Sequence, residues 1–594
     1  MRGACYGFVS LAGPSLPRTC RAPAAHPLPS SIAPVTADPP DEPAAGGDPG
    51  DEVVTAEVRS AEVPSAEGEI SRSTSLSPSE RVIPTWTDPT VRRASDVIGG
   101  PMGRHALVGR ASLLTPLRVC LLMAIVVLIC GWLFKAACIQ QGPNGAGGVT
   151  LDQGGQRPWI TACYNDAVPL YGSHGLDKLA PPYATSWQDN GETKYMEYPV
   201  VTGYWMWVSA AISRGYTQLA GATGVLPVPL DVAAYFTIGA IMLGLMYLWA
   251  VASTAKIARR RVWDTAIMCL SPLLIVHAFT NWDLLAIGIT AGAMLAWARK
   301  KPILAGALIG LGTAAKLYPV LLLWPLLILC LRGGKMGAWT RTAVAGAVVW
   351  LVINLPVMVL YPTGWYEFIK LNSERPPEYD SWYFIVATLT RSSIWDKAPG
   401  AEAPTLVNVV SLLLFALGCA AIGWLGLAAE RRPRFAQLAF LVVAAFLLTN
   451  KVWSPQYSLW LLPLAVLALP RWRPLLFWQA SEAITWVLLM LYFDGEANKG
   501  LSIYPFINAA LLRDAMVVML VVLVIWDIVR PAGDRVRMAG DDDPSGGVLD
   551  GAPDRFTVPS LPAIWAARRP RRARSAEPVP VGAGSGADEQ LDPA

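Results

Sequence analysis

Long apolar runs are the feature that most constrains this chain. They recur from about residue 113 to residue 530, and a helix needs about 20 largely apolar residues to cross the hydrocarbon core of a bilayer. Only 15% of the 594 residues are charged, whereas a soluble protein carries roughly a quarter. The sequence therefore predicts an all-α polytopic membrane protein and argues against a single water-soluble enzyme.

We expect about twelve membrane-spanning helices. Several are short, and the two on either side of Lys316 are compatible with one bent hairpin. The predicted spans lie near 117–138, 231–254, 264–281, 283–298, 302–315, 317–331, 342–360, 404–429, 435–450, 455–470, 474–493 and 506–529.

Basic clusters between these spans set the expected orientation, because Lys and Arg favour the cytoplasmic side. With twelve spans and both termini cytoplasmic, every cluster faces the cytoplasm of a multi-pass plasma-membrane protein. An additional span at 199–213 would move the first cluster outside, so this aromatic segment is predicted to be an interfacial or re-entrant helix. The clusters are 256–261, 299–301, 332–341, 431–434, 471–473 and 530–535.

The two ends differ in composition from the middle. Residues 1–112 and 531–594 are rich in polar residues and proline, which is typical of chains that cannot bury enough apolar surface to fold. We predict a disordered cytoplasmic N-terminal arm and C-terminal tail, with the acidic run 541–543 as a solvated stretch of charge. The transmembrane domain is then 113–530.

Ionisable residues collect on the predicted outer side, in or near a first loop (139–230) and a second loop (361–403). Charged groups at membrane depth are costly and usually functional. Each also has a structural alternative: Asp283 is placed to cap a helix, and Lys316 to extend its ammonium group to the interface. The residues concerned are Asp166, Asp189, Glu197, Asp283, Lys316 and Lys451.

This distribution favours sugar transfer from a lipid carrier. Nucleotide donors are normally absent outside a bacterial cell, and the sequence has neither a P-loop nor a dinucleotide fingerprint. Transfer from a polyprenyl phosphate needs one general base and cations or helix N-termini near the departing phosphate. Asp166, Asp189 and Glu197 compete for the role of base. Glu197 precedes an apolar helix, where burial would raise its pKa. Its alternative role is structural: its carboxylate would accept hydrogen bonds from backbone N–H groups at the start of that helix.

The alternative function is a transporter or flippase for a lipid-linked sugar. Transporters concentrate polar groups at the bilayer midplane in repeated halves, but this sequence has no internal repeat. The net charge of +4 is too small and diffuse for nucleic-acid binding.

Four motifs resemble glycosyltransferase family 87 and its relatives of the GT-C fold, over about 115–530. The first pair is Tyr164-Asn165-Asp166 after the first span and Glu197-Tyr198-Pro199 entering an apolar helix. The second pair is Lys316-Leu317-Tyr318-Pro319 and Asn450-Lys451-Val452-Trp453-Ser454-Pro455-Gln456. Where some members have paired histidines, this chain has Gln456 and Tyr457, and it has Val200 where they have a second proline.

The resemblance implies transfer of a hexose, usually mannose, from polyprenyl phosphate to a glycolipid or cell-envelope glycan outside the plasma membrane. It implies an inverting reaction without metal or cofactor, in which Asp166 is the catalytic base. Lys316 and Lys451 are then expected to contact the phosphate or the sugar. The full set of predicted substrate-binding residues is Asp189, Glu197, Tyr198, Asp283, Lys316, Lys451 and Gln456.

Two cysteines border the Asp166 motif. Cys138 ends the first span and Cys163 precedes Asp166, and both are expected to face an oxidising compartment. A disulfide between them would close a loop of about 25 residues, which is worth roughly 3 kcal/mol in the chain-entropy model. The alternative is two unrelated thiols.

Overall fold

The computed structural model describes residues 89–91, 93–94, 114–144, 147–189, 191–398 and 400–559. From residue 114 onward this part is almost entirely helical. Its helices are α1 (Pro116–Ala136), α2 (Arg157–Ile160), α3 (Ala167–Ser173), α4 (Val200–Thr223), α5 (Asp231–Ala258), α6 (Ala266–Cys269), α7 (Pro272–His277), α8 (Asp283–Ala298), α9 (Pro302–Ala315), α10 (Leu323–Arg332), α11 (Met336–Leu360), α12 (Pro362–Glu374), α13 (Trp382–Thr390), α14 (Thr405–Ala428), α15 (Phe435–Thr449), α16 (Leu461–Ala468), α17 (Trp472–Asp494), α18 (Ile503–Val529) and α19 (Arg535–Met538). Two antiparallel hairpins pair β1 (Gln141–Pro143) with β2 (Val149–Leu151) and β3 (Trp187–Asp189) with β4 (Glu192–Lys194).

Six helical segments of the described chain are long and apolar enough to cross a membrane. They are Pro116–Ile139, Asp231–Cys269, Met336–Leu360, Thr405–Ala428, Trp472–Asp494 and Ile503–Val529. Five shorter apolar helices and the broken α6–α7 stretch occupy the remaining predicted spans. The protein is therefore an all-α polytopic membrane protein, as the apolar runs predict.

Glycines allow α9 and α11 to pack at close range. A Cβ on Gly306 would lie 2.0 Å from the carbonyl oxygen of Thr342, and one on Gly310 would lie 2.2 Å from that of Gly346. Small residues at such crossings let helix backbones approach closely, which favours helix association in lipid. The packing fixes the end of α9, and so the position of the residue that follows it.

The chain bends at Lys316, as the sequence suggested. Helix α9 ends at Ala315, Lys316 is extended, and a 3₁₀ helix (Tyr318–Leu322) leads into α10. Proline at the second position of this 3₁₀ helix has no N–H to continue α9. The bend places Lys316 at a helix junction rather than within a span.

We call the end of the bundle that carries residues 137–199 the loop end. The long helix α4 begins there and packs against α5. It covers Val200–Thr223 and ends ten residues beyond the predicted 199–213 segment. It is not among the helices apolar enough to cross a membrane, and its interfacial placement stays a prediction.

The opposite end, which we call the tail end, corrects one expectation. The tail was predicted to be disordered from residue 531, but residues 531–559 are folded against the helix ends. Asp534, Val536 and Leu549 are at most 1% exposed, and the acidic run is no solvated stretch, because Asp543 accepts the backbone N–H of Phe435 at 2.9 Å. The polar composition did not reveal this fold because its partners are arginines 100 to 291 residues away in the sequence.

Five residues of the predicted arm, 89–91 and 93–94, are helical rather than disordered. The rest of the predicted arm and tail, 1–88, 92, 95–112 and 560–594, lies outside the described residues.

Candidate active site

Segments far apart in the sequence meet at the side chain of Asp166. The residue directly precedes α3, and its backbone N–H donates to the carbonyl of Thr280 at 2.8 Å. Its Oδ2 accepts hydrogen bonds from the Asn281 amide at 2.8 Å and the Tyr198 hydroxyl at 3.4 Å. The Asn281 side-chain oxygen accepts the backbone N–H of Trp282, which turns its amide nitrogen towards Asp166. The carboxylate is therefore held in one orientation while remaining partly exposed.

The surroundings of Asp166 also tune its basicity. Burial raises the pKa of this carboxyl, while a hydrogen bond from Tyr164, the charge of Lys316 and the Asn281 bond oppose that rise. A carboxylate whose pKa lies above its ordinary value is a stronger general base. Asp166 therefore combines a fixed geometry with the chemistry expected of a base.

The segment just before this carboxylate is held at two points. Cys138 and Cys163 form a disulfide, as their positions in the sequence suggested. The ammonium group of Lys135, at the end of α1, donates to the Tyr164 carbonyl at 2.7 Å and lies 4.2 Å from the ring centroid of Trp486. A covalent link and a buried hydrogen bond thus fix the approach to α3.

A buried ion pair lies beside the Asp166 cluster. The Lys316 ammonium is 3.2 Å from Asp283 Oδ1, which also accepts the Trp460 indole N–H at 2.7 Å. The Asp283 carboxylate is therefore used by these two partners, not as a helix cap, and the Lys316 side chain is only 12% exposed rather than extended to the interface. The same ammonium lies 5.0 Å from the ring centroid of Tyr457 and 5.8 Å from that of Tyr198.

A second carboxylate, Glu197, lies in the same cluster. Burial raises the pKa of Glu197 to about 7, the nearby charge of Arg375 opposes this, and Asp166 adds to it. Arg375 itself is paired with Glu378 at 2.8 Å. The loop end thus brings two carboxylates with raised pKa values to one half-buried site, where cations face them.

This polar cluster lies at one end of an apolar helix bundle. The sequence model of glycosyltransferase family 87 matches residues 216–455. Over these residues the chain is similar to this family. The matched segment contains Asn281, Asp283 and Lys316 but begins after Asp166. No curated protein matches the chain.

This similarity and the apolar helices together support a membrane glycosyltransferase. The similarity includes the segment that carries the Lys316–Asp283 pair. The assignment of Asp166 as catalytic base rests instead on local geometry, because that residue lies before the matched segment.

Two of the predicted substrate-binding residues have other surroundings than expected. The Lys451 ammonium donates to the carbonyls of Ser373 at 3.2 Å and Arg375 at 2.7 Å, so it holds the second loop in place. Burial lowers its pKa to about 8. Gln456 is buried in a 3₁₀ helix (Pro455–Trp460), and its neighbour Tyr457 is the residue that faces Lys316.

Asp189 is the candidate that the structure separates from the others. It ends strand β3 and is exposed on the hairpin, whereas Asp166 and Glu197 are partly buried together. The geometry therefore leaves Asp166 and Glu197 as the two candidates for the base.

Three residues at the site were not selected from the sequence. Asn281 had a signal, because it directly precedes the Trp282-Asp283 turn. Lys135 had a weaker one, since it is a lysine at the end of a predicted span, three residues before a cysteine. No sequence signal distinguished Arg375 from the rest of its loop, because only the folded chain brings that loop near Glu197.

Proposed function

We propose that this glycosyltransferase moves a hexose, expected to be mannose, from a polyprenyl-phosphate carrier to a glycolipid or cell-envelope glycan. The reaction takes place on the outer face of the plasma membrane, in a GT-C-like helix bundle. One observation carries the proposal: a fixed, partly exposed Asp166 carboxylate lies next to the buried Lys316–Asp283 ion pair.

The reaction that this arrangement supports is a single displacement. Asp166 accepts the proton of the acceptor hydroxyl, and the acceptor oxygen attacks the anomeric carbon of the donor sugar. The bond from that carbon to the phosphate oxygen breaks, and its electron pair leaves with the polyprenyl phosphate. One base is sufficient for this inverting reaction, and a positively charged group near the phosphate stabilises the charge that develops on it. The proposed step uses no metal and no cofactor.

The charge distribution supports an outward-facing site. Basic residues gather at the tail end, including Arg259, Arg332, Arg432, Arg434 and Arg471, and such clusters favour the cytoplasmic side. The loop end would then face outwards, where a lipid-linked donor is the available activated sugar. Both termini would be cytoplasmic.

The tail end also disfavours the transporter alternative. Alternating access requires one half of the bundle to move against the other. Residues 531–559 join the ends of several helices: Asp534 pairs with Arg434 at the start of α15, and the Trp297 indole at the end of α8 donates to the Gly546 carbonyl at 2.9 Å. These buried links oppose an opening at that end.

Transfer of labelled mannose from polyprenyl-phosphate mannose tests the proposal. The purified protein is reconstituted in vesicles that contain a lipid extract as acceptor. Asp166→Asn keeps the size of the side chain and its ability to form hydrogen bonds but removes the base. The rate of transfer should therefore fall by a factor of about 10² to 10⁴, the usual contribution of a general base.

Asp396→Asn is the matched control, because Asp396 is an exposed carboxylate in the second loop. It should retain wild-type transfer. Near-wild-type transfer by a folded Asp166→Asn protein would contradict the assignment of the base. Movement of lipid-linked sugar across the vesicle without a new glycosidic bond would favour the flippase.

A further inference from the structure

The second loop presents one arginine from a rigid support. Lys451 donates to the backbone carbonyls of Ser373 and Arg375, and the Glu378 N–H donates back to the Lys451 carbonyl at 2.9 Å. Segment 373–378 is therefore bound to the junction between α15 and the next 3₁₀ helix from both sides.

A buried ion pair anchors the same segment a few residues later. Asp380 accepts from Arg513 of α18 at 2.8 Å, and both side chains are at most 1% exposed. The Asp380 carbonyl accepts a second bond from this guanidinium at 2.7 Å, and the guanidinium stacks over Trp453 at 4.1 Å. A loop fixed at so many points cannot reorient freely, so the position of Arg375 is preorganised.

Arg375 and Lys316 act on the same two tyrosines. Lys316 lies over the rings of Tyr198 and Tyr457, and Arg375 is near enough to both tyrosines and to Glu197 for the charges to affect one another. The Lys451 bonds to the carbonyls of Ser373 and Arg375 place this arginine's backbone six residues from Tyr457 along the anchoring segment.

The guanidinium of Arg375 has capacity for another ligand. One of its nitrogens donates to Glu378, whereas a guanidinium has five N–H donors. Its side chain is 31% exposed, in contrast to Arg513 and Arg434, which are at most 1% exposed. A partly exposed planar fork suits bidentate recognition of a phosphate.

We propose that Arg375 and Lys316 together form a phosphate site for a lipid-linked substrate, with Lys451 and the Asp380–Arg513 pair as positioning residues. The inference rests on the proposed function and adds Arg375 and the second loop to it. The phosphate belongs to the donor, since its negative charge grows as the anomeric carbon–oxygen bond breaks. Two cations close to that charge bind the leaving phosphate more tightly than the intact donor, which accelerates transfer.

Inhibition of transfer by the product, polyprenyl phosphate, measures this site. In Arg375→Gln we expect the inhibition constant of polyprenyl phosphate to rise about tenfold and kcat to fall, because a charge-assisted hydrogen bond is lost. Arg375→Lys should be intermediate, since it keeps the charge but not the fork. The KM for the acceptor should not change.

Arg391→Gln is the matched control, because it removes an exposed positive charge from the same loop. It should leave the inhibition constant of polyprenyl phosphate and kcat as in the wild type. Glu378→Gln provides a second test: it frees the guanidinium from its carboxylate partner and should lower the inhibition constant, whereas a purely structural role for the pair predicts weaker binding or unfolding.

The outcomes separate two sources of phosphate. An unchanged inhibition constant in folded Arg375→Gln, with a raised KM only for acceptors that contain phosphate, would assign the site to the acceptor and overturn the donor assignment. If neither the inhibition constant of polyprenyl phosphate nor the KM for acceptors that contain phosphate changes, the site itself is overturned.

Direct binding distinguishes this inference from the proposed function. If the wild type transfers no sugar but still binds polyprenyl phosphate, as followed by tryptophan fluorescence, in an Arg375-dependent way, the phosphate site stands and the proposed function fails. If the wild type transfers sugar and Arg375→Gln binds polyprenyl phosphate normally, the function stands and the phosphate site fails.

Discussion

The loop end and the tail end of this bundle both contain charged side chains out of water, but they use them differently. At the tail end, Arg434 contacts both oxygens of Asp534 at 2.7 and 3.1 Å and also donates to the carbonyls of Leu467 and Ala468, each at 2.7 Å. At the loop end, Asp166 is partly exposed, and its bonds come from neutral donors, Asn281 and Tyr198.

The contrast suggests how to separate structural from functional charge in this protein. A charge that is sealed and fully paired has no capacity left for a substrate, whereas raised pKa values in an accessible cluster are typical of active sites. We therefore expect substitution of the sealed Arg434–Asp534 pair to change mainly stability, and substitution of Asp166 to change mainly transfer.

The largest stability effect is expected for Asp534→Asn. The substitution leaves the buried Arg434 guanidinium without its counter-ion, which costs about 3–5 kcal/mol for a buried pair. Thermal unfolding in detergent should show a clearly lower midpoint. Arg431→Gln is the control, because the Arg431–Asp542 pair is 51% and 39% exposed and such a pair is worth about 1 kcal/mol or less. Equal midpoints for the two variants would remove the distinction.

The next effect concerns the disulfide at the loop end. Replacing Cys138 and Cys163 together by serine removes a cross-link between residues 25 apart, for which the chain-entropy model gives about 3 kcal/mol. Transfer should fall as well, because this link holds the segment that leads to Asp166. Cys130→Ser, which changes a free exposed cysteine of α1, should change neither stability nor transfer. If reductant leaves wild-type stability and transfer unchanged, the disulfide does not support the site.

The smallest effect is a pH dependence that comes from Glu197. Its pKa is raised to about 7 by burial, so the folded protein holds this proton between about pH 4.5 and pH 7 while the unfolded chain has lost it. Stability contributed by this residue therefore falls as the pH rises through that range. Glu197→Gln should flatten the decline of the unfolding midpoint between pH 5 and pH 7.5.

Glu496→Gln, at an exposed position, should keep the wild-type slope. A wild-type slope in Glu197→Gln would contradict the buried environment of Glu197. The same variant also tests the competing base: measurable transfer by Glu197→Gln, with none by Asp166→Asn, favours Asp166.

Local patterns predicted the spans, because apolar runs of sufficient length leave few alternatives in lipid. The resemblance of short motifs to glycosyltransferase family 87 indicated Asp166, Glu197 and Tyr198. A bend at Lys316 was one interpretation of the two short apolar runs that meet there.

What local patterns could not predict depends on contacts between distant segments. The fold of 531–559 comes from acids that meet arginines on other helices, so its polar composition alone suggested disorder. The loop of Arg375 is held by Lys451 and Arg513, which lie 76 and 138 residues further along the chain. Asp189 and Asp166 are both aspartates of the first predicted loop, and only the position of Asp189 on an exposed hairpin separates the two.

The central claim is that the two ends divide chemistry and structure between them. The most direct test measures mannose transfer and the unfolding midpoint side by side for Asp166→Asn and Asp534→Asn, with transfer expressed per folded protein. We expect Asp166→Asn to lose transfer at a wild-type midpoint, and Asp534→Asn to lose stability and keep transfer. Loss of both properties in both variants, or transfer retained by Asp166→Asn, would contradict it.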